Sequence, residues 1–89
     1  MQIEVWHNKK IGDMSASFPD DFELVAVVMG DDIDRAFAMT NHLEGFWWLN
    51  SGVLRIGDKH HRSTSIGDVL VQLSTGRKYR CDFLGWTEI

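Results

Sequence analysis

His61–Leu73 reads HRSTSIGDVLVQL, and Ser74–Ile89 continues it as STGRKYRCDFLGWTEI. Ser63, Thr64 and Ser65 carry hydroxyls that bond nearby backbone N–H groups, and Gly67 supplies a tight turn. Val69–Leu73 and Tyr79–Phe83 are then expected as strands, joined through Ser74-Thr75-Gly76-Arg77-Lys78, a glycine-containing connection whose length suits a hairpin. Trp86–Ile89 follows as a short closing strand. The rest of the chain is expected to pack around this C-terminal unit.

Upstream, Gln2–His7 alternates Ile3 and Val5 against Gln2, Glu4 and Trp6, the period of a strand with one buried face. Asn8–Asp13 is a polar loop with a glycine, and Pro19 points to an extended turn before the next element. Phe22–Met29, FELVAVVM, is nearly continuous in apolar residues, as a central strand covered on both faces would be. Asp31 and Asp32 then mark a helix start, where carboxylates accept free N–H groups and favour the positive end of the dipole. Ile33, Ala36, Phe37, Thr40 and Leu43 recur at helical spacing, and Gly45 is the expected stop. Glu44–Asn50 reads as a short extended segment whose aromatics fold over the core, and Ser51–Arg62 as loop with a brief apolar piece at Val53-Leu54-Arg55-Ile56. The expectation is one α+β domain over residues 1–89. A small twisted antiparallel sheet is expected from strands near 2–7, 22–29, 68–74 and 77–84, with one helix on a face.

The 89 residues are 44% hydrophobic and 25% charged, with a formal charge of −4. This is the composition of a globular protein, too apolar for a disordered one. A single cysteine, Cys81, forms no internal disulfide, which favours a reducing compartment. The N-terminus lacks a long apolar stretch behind a basic start, so no signal peptide is expected, and nothing reaches the ~18 apolar residues of a membrane span. A cytoplasmic protein is expected. Residues 1–50 hold nine acids against three bases, and residues 51–89 hold six bases against four acids.

The constellations that could carry chemistry divide on geometry. His60 and His61, with His7 and His42, are poor metal ligands, because adjacent histidines in an extended chain point apart and no second cluster is tightly spaced. Ser63, Ser65 and Asp68 beside these histidines resemble hydrolase components, but the turn reading accounts for both serines and Gly67. No GxxxxGK[ST] or GxGxxG occurs. No enzyme activity and no cofactor are therefore expected. Arg62, Arg77, Lys78 and Arg80, near Tyr79 and Trp86, form the nucleic-acid alternative, cations on a hairpin whose aromatics stack bases. The overall acidity opposes it. The acids Asp20, Asp21, Glu23, Asp31, Asp32 and Asp34 are too sparse to imitate duplex DNA, which carries one charge per ~1.7 Å. Trp47-Trp48 is the protein-binding candidate: in an alternating segment one ring points out, and an outward Trp anchors interfaces.

From Arg62 to Glu88 the pattern R-S-x-S-[IV]-G-D-V, a hairpin, then G-[WF]-x-E resembles small uncharacterised proteins of bacteriophages and mobile elements, notably of actinobacteria. It is also similar to the tail of YodL-like domains. Arg62, Ser63, Ser65, Ile66, Gly67, Asp68, Val69, Leu70, Tyr79, Gly85, Trp86 and Glu88 carry the resemblance. It implies an accessory protein that binds and modulates a host or phage protein, including components of defence systems. Together with the aromatic segment, the binding residues expected are Trp47, Trp48, Arg62, Ser63, Ser65, Asp68 and Trp86. A second copy of the chain is a further candidate partner, through an open edge of Gln2–His7.

Overall fold

The computed structural model describes residues 1–42 and 45–89. Strands β1 (Gln2–Asn8), β2 (Phe22–Met29), β3 (Val53–Arg55), β4 (Val69–Gln72), β5 (Arg77–Asp82) and β6 (Gly85–Glu88) form one antiparallel sheet in the order β3-β2-β1-β4-β5-β6. Helix α1 (Ile33–Thr40) and a 3₁₀ turn at Trp47–Leu49 complete the described elements.

The expected α+β fold with a small sheet is corrected by this architecture. The sheet is six strands wide rather than four, and the protein is mostly antiparallel sheet with one eight-residue helix. Val53–Arg55, read as loop, is an added strand pairing with Ala26–Val28. Three residues are too few to display a period, so β3 exists only because β2 offers it an edge. The second correction concerns β1. It pairs with β2 on one side and β4 on the other, so Gln2–His7 presents no open edge to a second copy.

Each end of the helix follows from local chemistry. Asp32 caps α1 by accepting from the Arg35 backbone N–H at 3.2 Å, and Asp34 sits in the first turn, where a negative charge is favoured. The helix ends at Thr40, short of the expected Gly45 stop, because Asn41 leaves helical geometry at φ −119°, ψ 78°. The Thr40 carbonyl accepts from the Thr64 N–H at 2.9 Å. Leu43, expected on the inner face, lies outside the described residues.

A bulge lets one strand serve two cores. Between Val5 and Trp6 the register with β2 shifts, so that Ala26 faces Val5 but Leu24 faces Trp6. Val28 and Ala26 consequently lie on the α1 face, while Phe22 reaches the opposite face; strict alternation would have kept all three together. Beneath α1 the buried cluster is Ile3, Val5, Val25, Ala26, Val28, Ala36, Trp47 and Leu70. Ala36 allows the helix to approach closely. Each large aliphatic side chain taken fully from water here contributes about 1.5–3 kcal/mol. Across the sheet Phe22, Val69 and Val71 form a second cluster, closed by Trp6, Ala16 and Phe18. Trp6, Phe18 and Phe22 stack edge-to-face with centroids 5.2 Å apart at both steps. The loop before β2 is thus a lid on the second face.

Candidate functional site

The residues singled out in 62–68 do come together, and they bond to one another. Asp68 is fully buried and accepts from Arg62 Nη1 and Nη2, both at 2.7 Å. It also accepts the backbone N–H groups of Asn8 and Ser65, each at 2.8 Å. Arg62 in addition donates to the Asn8 and Ser63 carbonyls. The Ser63 hydroxyl donates to the His42 carbonyl, and the Ser65 hydroxyl accepts from Arg62 at 3.3 Å. Gly67, at φ +94°, sends its N–H to the Cys81 carbonyl, and Cys81 N–H returns to Asp68. A side chain at that φ would be strained, which is why glycine is needed there. This is a buried ion pair whose lone pairs are satisfied, tying the 62–68 turn to the ends of β1 and β5.

His7 belongs to the same knot. Its Nε2 lies 3.0 Å from the Thr64 hydroxyl and 3.9 Å from Asp68. Burial lowers its pKa from 6.5 to about 4, outweighing the opposing pull of Asp68, while Arg62 and His61 push in the same direction as burial. The ring is neutral at pH 7. Among the described residues no serine hydroxyl is hydrogen-bonded to a histidine ring, so Ser63, Ser65 and Asp68 do not assemble into the arrangement that nucleophilic catalysis requires.

The adjacent tryptophans separate, by a 3₁₀ turn rather than the expected extended segment. Trp47 is 2% exposed, and its Nε1 donates to the Arg62 carbonyl at 3.0 Å. Trp48 is half-buried, with Phe46 stacked on it at 4.9 Å and the Arg55 guanidinium 4.4 Å above its ring. Trp86 packs edge-on against Phe37 and donates to Asp34 at 2.8 Å, joining β6 to α1.

The basic residues do not form one surface. Arg62 is held in the knot. Arg77 approaches Glu88 at 4.0 Å, and Arg80 bonds Asp82 and the Met14 carbonyl. Arg77 and Lys78 alternate along β5, so they lie on opposite faces. Four of the six acids of that cluster are likewise occupied: Asp21 accepts from the Ser17 N–H, Asp31 from the Ser74 hydroxyl, Asp32 caps the helix and Asp34 holds Trp86. The histidines divide too. His60 is exposed, but His61 is half-buried, and His42 lies 2.8 Å from the Asn50 amide.

A surface that the sequence reading passed over lies at the β5–β6 turn. Phe83 is 81% exposed and Leu84 101% exposed, at the tip of the hairpin. Beside them a recess of about 530 Å³ is lined by Ile11, Met14, Phe37, Ile66 and Phe83, together with Asn41 and Ser65. The knot holds this recess in shape, since Gly67 is bonded to the end of β5 just before the tip. One signal was available: two large apolar residues occupy the centre of a tight turn, where Gly, Asn, Asp and Ser are usual.

No family model matches the chain, and no match is found among curated proteins or solved structures. No helix of the described residues is long and apolar enough to cross a membrane.

Proposed function

We propose that this protein is a non-enzymatic accessory protein of the phage or mobile-element kind, which binds and modulates a host or phage protein. The observation that carries the reading is the hairpin tip. Exposing Phe83 and Leu84 to water, next to an apolar recess, has no folding benefit, and exposed apolar surface of this kind is typical of an interaction site. The partner that fits is a protein offering one aliphatic or aromatic side chain to the recess and accepting Leu84 in return.

The reading agrees with the resemblance of Arg62–Glu88 to small phage proteins. In that resemblance the polar motif is scaffold and the hairpin beyond it is the contact. Such a protein works in the host cytoplasm, where a lone thiol such as Cys81 stays reduced. Interference with a defence component is the narrower form of the proposal.

The test is affinity capture from bacterial lysate at high salt after nuclease treatment, comparing wild type with the Phe83→Ser/Leu84→Ser variant. A partner protein held by the wild type and lost by the variant supports the proposal. A partner held equally by both places the contact elsewhere, and nuclease-sensitive capture alone would replace the reading with nucleic-acid binding.

A further inference from the structure

A second recess, of about 320 Å³, opens where the loop before Arg62 meets the end of β1. Lys9, Lys59, Arg62, His60, His61 and Glu23 line it, with the neutral His7 also in its wall. In a chain of net charge −4, this recess gathers three permanent cations against one carboxylate. Two of the cations are available to a ligand. Lys59 contacts Glu23 at 3.3 Å, but both side chains are largely exposed, and such a pair is weak and readily exchanged. Among the described residues no carboxylate lies within 4.0 Å of the Lys9 ammonium.

His61 adds an unmet demand. Its Nε2 is buried and has no hydrogen-bond partner among the described residues. His60 sits at the junction with the aromatic turn. It is edge-on to Phe46 at 5.2 Å and to Trp48 at 5.3 Å, and Phe46 is itself half-exposed. A cationic recess and a flat aromatic surface therefore share one residue.

We propose that this recess binds the phosphate of a small phosphate monoester whose attached heterocycle stacks on Phe46, a nucleoside monophosphate being the simplest ligand of that class. The ammonium groups of Lys9 and Lys59 hold the phosphate oxygens as point charges. The recess volume lies at the lower end of the range for small-molecule sites. This site is independent of the hairpin tip and does not require the protein partner proposed above.

The test is an amide NMR titration at fixed ionic strength with inorganic phosphate, ribose 5-phosphate and adenosine monophosphate. All three are expected to move the resonances of Lys9, Lys59, His60 and His61. Base–aromatic stacking of about 1–3 kcal/mol should make adenosine monophosphate at least ~5-fold tighter than ribose 5-phosphate. Lys9→Ala/Lys59→Ala, both at the surface, should weaken all three ligands about tenfold or more. Phe46→Ala should remove only the advantage of the nucleotide. Lys78→Ala, on the opposite sheet face, and Phe83→Ser/Leu84→Ser should leave every affinity unchanged. The proposal is overturned if the three ligands leave these resonances still, or if the double lysine variant binds as the wild type does. Equal affinity for ribose 5-phosphate and adenosine monophosphate would overturn the stacking contact.

Discussion

Two turns frame the C-terminal unit, and they use their residues in opposite ways. Residues 62–68 are crowded with polar groups, and each one described is bonded inward: the guanidinium of Arg62 to Asp68, the amides of Asn8 and Ser65 to the same carboxylate. Residues 82–85 form a turn whose central Phe83 and Leu84 face water. The turn that looks chemical is structural, and the turn that looks like a plain connection carries the free surface. A carboxylate and a guanidinium a few residues apart satisfy each other once both are desolvated, leaving nothing for a ligand. An apolar side chain left in water is unspent.

The sharpest way to break this contrast is to remove Asp68. Asp68→Ala leaves the Arg62 guanidinium and two backbone N–H groups without their acceptor. The expected loss is about 3–5 kcal/mol, the range for breaking a buried pair. That is a large share of the ~5–15 kcal/mol that keeps a domain folded. Arg62→Met should cost a comparable amount, because it leaves the fully buried Asp68 carboxylate with only the Asn8 and Ser65 N–H groups and no countercharge. Urea denaturation measures both. If Asp68→Ala lowers stability by less than about 0.5 kcal/mol, the range of surface substitutions, the knot is not structural and its polar groups return as binding candidates.

Acid probes the same knot without mutation. The folded-state pKa of His7, about 4, lies below its ordinary 6.5, so below pH 6.5 the unfolded chain takes up a proton that the native ring refuses. Stability from this group is complete above pH 6.5 and declines as pH falls toward 4. The total is roughly 3 kcal/mol for a shift of this size. His7→Gln should be less stable at neutral pH yet flatter across that window. Thermal unfolding from pH 7 to pH 4 reads the slope; the same slope in wild type and variant would mean another group supplies it.

Parts of this arrangement are readable from residues alone, and the limits are physical. Ile3 and Val5 announce β1, the apolar run Phe22–Met29 announces β2, and Asp32 announces the helix, because each signal sits within one element. Strand order does not. The central place of β1 depends on pairing Gln2–Asn8 with residues 22–29 and with Val69–Gln72, partners far along the chain. The burial of His7 and Asn8 is hidden for the same reason, since their companions Thr64 and Asp68 are 57 and 60 residues away. Arg62, Ser63, Ser65 and Asp68 were visible as a group, but whether a polar group faces inward or outward is decided by what packs on it. Trp47 and Trp48 show the limit within a single dipeptide. Their division into core and half-exposed ring is decided by a 3₁₀ turn, not by the alternation of a strand.

The smallest expected effect on stability is the most informative about function. Phe83→Ser/Leu84→Ser changes two side chains that are almost wholly in water, so unfolding should shift by no more than about 0.5 kcal/mol, as at ordinary surface positions. The backbone of the turn is kept, because Gly85, whose φ of +120° only glycine adopts easily, is untouched. Partner capture should fall by at least tenfold, the loss of about 1.4 kcal/mol or more that an interface anchor commonly carries. A variant that loses both capture and stability would mean that the hairpin tip belongs to the fold, and the contrast between the two turns would collapse. A variant that keeps its stability and loses its partner separates scaffold from contact surface. The recess lined by Phe37 and Ile66 would then be the next place to substitute, one side chain at a time.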